Sequence, residues 1–110
     1  MHHLGSEMQA CVDACLSCYQ TCLSHAMGHC LDVGGRHVER GHFTLLMSCV
    51  EICRTSAAFM LMGSEHHKHI CRECAEICEQ CAADCEQLGD MQECVAACRA
   101  CAESCRQMAA

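Results

Sequence analysis

Cysteine recurs along this chain at intervals of three and four residues, and this spacing constrains the fold more than any other feature. Fifteen of the 16 cysteines fall on such intervals, which keep side chains on one stripe of an α-helix because the helix turns once in about 3.6 residues. The four runs are Cys11, Cys15, Cys18 and Cys22; Cys49 and Cys53; Cys71, Cys74, Cys78, Cys81 and Cys85; and Cys94, Cys98, Cys101 and Cys105. They predict an all-α fold of four helices, with thiols on the inward faces where leucine usually lies.

Capping signals place the first two helices. Ser6 followed by Gln9 predicts a capping box at the start of helix 1. The cysteine stripe of this helix ends at Cys22, and the helical pattern is lost through the glycines that follow. Helix 2 is predicted to begin between residues 36 and 42 and to end near Met62, with Gly63 as its C′ residue.

The second half of the chain is divided by very short connections. Ser64 is the predicted N-cap of helix 3, which runs to Leu88. Gly89 then ends that helix, and Asp90 with Glu93 predicts a capping box for helix 4. Because short connections join antiparallel neighbours, residues 1–110 are predicted to form a single domain, an antiparallel up-down-up-down four-helix bundle with a cysteine-lined core.

Composition excludes several classes of function. The chain has no proline, three aromatic residues and a net charge of −7, so it lacks the basic surface that nucleic acid requires. The apolar stretches at 44–50 and 57–62 are too short to span a bilayer, and the first six residues lack the features of a secretory signal. We therefore expect a cytoplasmic protein without membrane or nucleic-acid partners. His2 and His3 are either native or remnants of an expression tag.

A cytoplasmic location affects how the thiols are interpreted, because that compartment keeps thiols reduced. Cysteines that repeat along one helix face also have poor geometry for disulfides with each other. Catalysis by cysteine needs one activated thiolate and not a lattice, so we expect no enzyme activity. Metal binding remains, and soft thiolates select Cu(I), zinc or iron–sulfur clusters. The loop-borne, proline-ended cysteine motif of small ferredoxins is absent from the sequence.

Cu(I) suits this pattern better than zinc does. Zinc prefers closed sites of four ligands, whereas two thiolates spaced i, i+4 satisfy Cu(I) and a neighbouring helix can add a third. Each Cu(I) that replaces one thiol proton leaves the core charge unchanged. The chain has seven such CxxxC pairs, at 11/15, 18/22, 49/53, 74/78, 81/85, 94/98 and 101/105.

The segment GSEHHKHICRECAEICEQCAADC and the CxxxC pairs of the other helices resemble the bacterial four-helix-bundle copper storage proteins. Within that family the chain is most similar to the cytosolic branch. The resemblance covers essentially the whole chain and implies a tube of thiolates that holds many Cu(I) ions, in a homotetramer. Helix 2 departs from the pattern because it carries only Cys49 and Cys53, which predicts a thin wall there.

Methionine and histidine continue the stripes to the two mouths of the predicted bundle. Met8, Met60, His67 and Met108 share one mouth, where thioether and imidazole are suited to passing Cu(I) inward; the methionines serve equally well as flexible core. The opposite mouth is predicted to contain His25, His29, Cys30, His42 and Met91. Because His29 and His42 lie on their stripes, this mouth is a second candidate for metal binding. Cys30 is interpreted either as a metal ligand or as a loop thiol, and His37 has no assigned role.

The sequence thus predicts a Cu(I) storage protein with a capacity of about one ion per thiolate. A copper chaperone or a low-molecular-weight copper carrier would be its partner. Two alternatives remain open: a zinc-buffering protein similar to metallothionein, and a thiol reservoir that oxidises reversibly to disulfides.

Overall fold

Four long helices form an antiparallel bundle in the computed structural model, which describes residues 4–110. The helices are α1 (Ser6–His25), α2 (Arg40–Leu61), α3 (His67–Leu88) and α4 (Gln92–Ala109). Each packs against its neighbours in the chain, and α1 also packs against α4, so the four helices close into a ring. The predicted all-α, up-down-up-down fold is confirmed. The two histidines at positions 2 and 3 lie outside the described residues.

The first helix is longer than the sequence predicts. Beyond α1 it continues through a π-helical turn (Ala26–Cys30) and a last α-helical segment (Leu31–Val33), and it ends at Gly34 with φ 70°. Two successive steps of four residues would carry Cys30 about 80° off the stripe of Cys22 in an ideal α-helix. The wider π turn compensates for that rotation, so Cys30 is fully buried. It is a core thiol and not a loop thiol.

The connection between α2 and α3 begins with a Schellman motif. Gly63 has φ 70°, its N–H donates to the carbonyl of Met60 (3.1 Å), and the N–H of Ser64 donates to the carbonyl of Phe59 (3.0 Å). Glycine tolerates this left-handed conformation because it has no Cβ, so the predicted C′ residue is confirmed. The predicted N-cap is wrong: Ser64 Oγ accepts from the N–H of His66 (3.1 Å) in a turn before α3.

Neither predicted capping box forms. Gly5 precedes α1, Ser6 makes no capping hydrogen bond, and the side-chain amide of Gln9 donates instead to Asp13 (3.0 Å). At α4, the residue before the helix is Met91, with no side-chain cap, while Asp90 takes a left-handed conformation with φ 60°. Neither helix therefore begins with a capping side chain.

The outward faces of α3 and α4 carry charged residues. Arg99 pairs with Glu86 (2.8 Å) and Arg106 pairs with Glu79, which links the two helices on the solvent side. Within residues 4–110, α2 is the one helix long and apolar enough to cross a membrane, with a mean hydropathy of 1.4 over its most apolar window. A core helix of a soluble bundle meets the same criteria, and the inner face of α2 is packed in the core.

Candidate metal centre

All 16 cysteines are free thiols buried in the interior. None is more than 1% exposed, including the residue at the π turn. The cysteine-bearing faces of all four helices are turned towards the axis of the bundle, so the thiols form a continuous column along it. The sequence-predicted cysteine set is therefore brought together in full.

Neighbouring sulfurs in the column lie at uniform separations. In the middle, Cys53 Sγ lies 3.6 Å from Cys78 Sγ and 3.7 Å from Cys101 Sγ. Towards the start of α1, Cys15 Sγ lies 3.5 Å from Cys105 Sγ. A tetrahedron of sulfurs around a metal with 2.3 Å bonds has edges of about 3.8 Å. The thiols thus already stand close to metal-ligand spacing.

The CxxxC pair is the unit from which the sulfur groups are built. Four quartets, each with all sulfurs within 4.8 Å of one another, combine one i, i+4 pair with single thiols from two other helices. The quartets are Cys15, Cys74, Cys101 and Cys105; Cys18, Cys49, Cys53 and Cys78; Cys18, Cys22, Cys49 and Cys98; and Cys53, Cys74, Cys78 and Cys101. Because they share members, they form one connected array and not four separate sites.

The stripe of α2 is poorer in sulfur than the others, as the sequence predicts. On either side of its two cysteines the buried positions are held by Leu46, Ser56 and Met60. Ser56 Oγ is buried and has no hydrogen-bond partner among the described residues. Serine here places a hydroxyl where the other helices place thiols, so this wall offers fewer soft ligands.

Hydrogen bonding between thiols separates their pKa values. Contacts with the thiols of Cys101 and Cys22 lower the pKa of Cys18. The same contact between Cys18 and Cys22 raises the pKa of Cys22, and burial raises it further. Contacts with Cys105, Cys15 and Cys53 lower the pKa of Cys101 to about 7. One thiol of a pair therefore ionises ahead of its neighbour, and a monovalent metal ion can replace each proton in turn.

The mouth predicted to admit copper contains the four expected residues at different depths. Met60 is fully buried, whereas Met8 and Met108 are half-buried and pack against the core. His67 is half-buried, and its Nδ1 lies 2.9 Å from the carbonyl oxygen of Ser64, which leaves Nε2 as the free ring nitrogen. His66 and His69 are exposed.

The opposite mouth brings together more ligand-type side chains than the sequence predicts. Cys30 Sγ lies 3.8 Å from His42 Nε2, 4.0 Å from His37 Nδ1 and 3.9 Å from Met91 Sδ. His37 had no assigned role because its position depends on a 3-10 turn (Gly35–Val38) that no spacing rule predicts. Asp84, which lies 2.6 Å from His42 Nδ1, was also missed, since no pattern in α3 distinguishes it from the other acidic residues.

An antiparallel four-helix bundle whose core is a column of free thiols defines a thiolate metal-storage protein. The sequence profile described as copper storage protein matches residues 4–110, and the chain belongs to that family. The predicted family and its storage class of function are therefore confirmed.

Solved structures agree with this assignment. A crystal structure of a Nitrosospira multiformis protein is 58% identical, with a TM-score of 0.92 and 94% of each chain covered. The copper storage protein BsCsp3 with Cu(I) bound is 36% identical, with a TM-score of 0.88 over 96% of this chain and 100% of that one. Apo-Csp3 from Bacillus subtilis is also 36% identical, with a TM-score of 0.79 over 93% and 98%. A comparison with curated proteins gives no match.

Proposed function

We propose that this chain stores many Cu(I) ions in the cytoplasm, as a binding protein and not an enzyme, with all 16 cysteines as ligands. The observation that carries this proposal is the connected array of overlapping quartets, in each of which the thiols lie within 4.8 Å of one another. Trigonal or bridged Cu(I) sites can use overlapping groups, because bridging thiolates serve two ions at once. Isolated zinc tetrahedra would each need four thiolates of their own.

Anaerobic titration with Cu(I) against a competing chelator tests the proposal. We expect about one Cu(I) per thiolate, hence a capacity far above four ions per chain, and no bound zinc in protein isolated from cells. A capacity near four, with zinc retained in preference to copper, would identify the zinc-buffering alternative. Defined disulfides in freshly lysed cells would identify the redox alternative.

Met8, Met60, His67 and Met108 are proposed to bind Cu(I) transiently at the mouth through which copper is loaded. Thioether and neutral imidazole are weaker ligands than thiolate, so they can pass an ion to the column. His67→Leu with Met60→Leu should slow uptake and removal of Cu(I) and leave the final capacity almost unchanged. His29→Leu with His42→Leu is the matched control at the other mouth. If the control pair is the slower one, copper is loaded from the opposite end.

We also propose that the chain assembles as a homotetramer through α1 and α2. Half-buried apolar side chains follow one stripe on each helix: Leu16, Tyr19 and Leu23 on α1, and Leu45, Ile52 and Phe59 on α2. Burying such a surface against another copy would stabilise an oligomer. Light scattering should give four chains per particle, and Ile52→Glu should dissociate it. A monomer in the unmodified protein would refute the assembly without affecting the copper site.

A copper chaperone or a low-molecular-weight carrier is the proposed source of the metal. The acidic surface, with net charge −7, favours a donor that is cationic around its own copper site.

A further inference from the structure

The inward stripe of α2 continues the cysteine spacing with a serine. Cys49, Cys53, Ser56 and Met60 are separated by four, three and four residues, the same intervals as the four cysteines of α1. All four of these α2 residues are buried. Ser56 therefore occupies the position that a third thiol of α2 would occupy, on the face turned towards the column.

The hydroxyl of Ser56 makes neither of the contacts usual for a serine within a helix. Such a serine points to solvent or donates to the carbonyl four residues earlier, as Ser48 Oγ of the same helix does to the carbonyl of Thr44 (2.7 Å). Ser56 is 0% exposed, and its Oγ has no hydrogen-bond partner in the part of the chain that the structure describes. A buried hydroxyl in this state destabilises the bundle, which indicates a partner that forms in another state of the protein.

The quartet of sulfurs at the level of Ser56 has no ligand from α2. Cys53 precedes Ser56 on the stripe, and its Sγ lies 3.7 Å from that of Cys101. One step further along α2, the next quartet takes its thiols from α1, α3 and α4 alone: Cys15, Cys74, Cys101 and Cys105. Each of the other three quartets contains a cysteine of α2. At this level the α2 wall therefore presents the hydroxyl of Ser56 in place of a thiol.

A hydroxyl at this position suits thiolates as a hydrogen-bond donor. Its oxygen is a hard, neutral ligand, and Cu(I) prefers soft sulfur, so the hydroxyl does not substitute for the missing thiol as a ligand. When Cu(I) displaces the thiol protons, the sulfurs at this level become anionic acceptors. A hydrogen bond to an anionic acceptor is stronger than one between neutral groups. The partner that Ser56 lacks among the free thiols is therefore produced by copper loading.

We propose that Ser56 is a positioning residue of the copper store, whose hydroxyl donates a hydrogen bond to a Cu(I)-bound thiolate of the quartet Cys15, Cys74, Cys101 and Cys105. This role rests on the proposed storage of Cu(I), and it adds a residue that is not itself a metal ligand. Because the bond forms only in the loaded state, it increases the affinity for Cu(I) at this level. The same hydroxyl lowers the stability of the apo bundle, where it is unpaired.

Ser56→Ala removes the hydroxyl and should change two measurements in opposite directions. The apo variant should melt at a higher temperature, because an unpaired buried hydroxyl is gone. Its Cu(I) capacity should be unchanged, but the copper of this quartet, about four ions at one per thiolate, should bind about 3- to 10-fold more weakly in the chelator competition, as expected for the loss of one hydrogen bond. Ser48→Ala is the matched control: its exposed hydroxyl on the same helix already has a backbone partner, so Cu(I) affinity should stay the same.

Ser56→Cys tests the placement of the side chain independently. The added thiol should raise the capacity by about one Cu(I), and an unchanged capacity in a variant folded by circular dichroism would overturn the proposal. So would a Ser56→Ala variant with unaltered Cu(I) affinity, or one whose apo form melts at a lower temperature, since the hydroxyl would then be paired before copper binds. A capacity of about four ions in the unmodified protein would instead refute Cu(I) storage itself, and this role with it.

Discussion

Replacing Cys74 and Cys78 together with serine tests how the column is organised. The pair lies at its centre, with the two sulfurs 3.8 Å apart. Cys74 and Cys78 contribute to three of the four quartets: one contains both, and the other two contain one each. After the replacement, each of the two quartets that contained one of these cysteines keeps three thiols, which still suffices for trigonal Cu(I). The quartet that contained both keeps only Cys53 and Cys101.

The expected loss follows from this count. At about one ion per thiolate, removing two thiols removes two Cu(I) sites. The quartet that has lost both thiols loses at most about one further Cu(I). The variant should therefore bind about two to three fewer Cu(I) and retain the rest. Two buried hydroxyls also destabilise the apo bundle, each by about 1–3 kcal/mol, so the variant should melt at a lower temperature before copper is added.

The assay is the chelator-competed Cu(I) titration, read as copper per chain. Alanine at the same two positions is one control: it removes the thiols without burying a hydroxyl, so it should lose the same copper with a smaller loss of apo stability. Cys71→Ser at the end of the column should lose about one ion. If the central variant loses most of its copper at once, the array is a single cooperative cluster and the overlapping-quartet description is wrong.

Two further outcomes are expected. The apo chain should already show full helical circular dichroism, because Val12, Leu46 and Val50 are buried whether or not metal is bound; a chain that folds only on copper addition would refute a preformed column. Copper loading should release close to one proton per Cu(I) at pH 6, measured by pH-stat, and fewer at pH 8. The difference arises because Cys101, with a pKa of about 7, is protonated below that value and already a thiolate above it, and a proton yield independent of pH would contradict this.

The fold and the thiol column could be predicted because helix periodicity acts locally: steps of three and four residues define a stripe whatever the rest of the chain does. The capping predictions failed where a turn imposed the geometry instead. Asp90 adopts a left-handed conformation, so it cannot act as an N-cap in the usual extended one. The sequence placed Cys30, His42 and Met91 at one mouth, but it missed the contact of His37 with Cys30. That contact depends on a 3-10 turn and a π turn, whose hydrogen-bond registers leave no periodic signature in the sequence.

The short separations between successive sulfurs have a kinetic consequence. From Cys11 to Cys105, Cys15, Cys101, Cys53, Cys78, Cys49, Cys98 and Cys22, each sulfur lies no more than 3.7 Å from the next. An ion can therefore move along the column by exchanging one ligand at a time, without separation of the helices. Release is therefore expected in the reverse order of loading: the ions nearest a mouth, which bind last, leave first, and those at the centre exchange slowest.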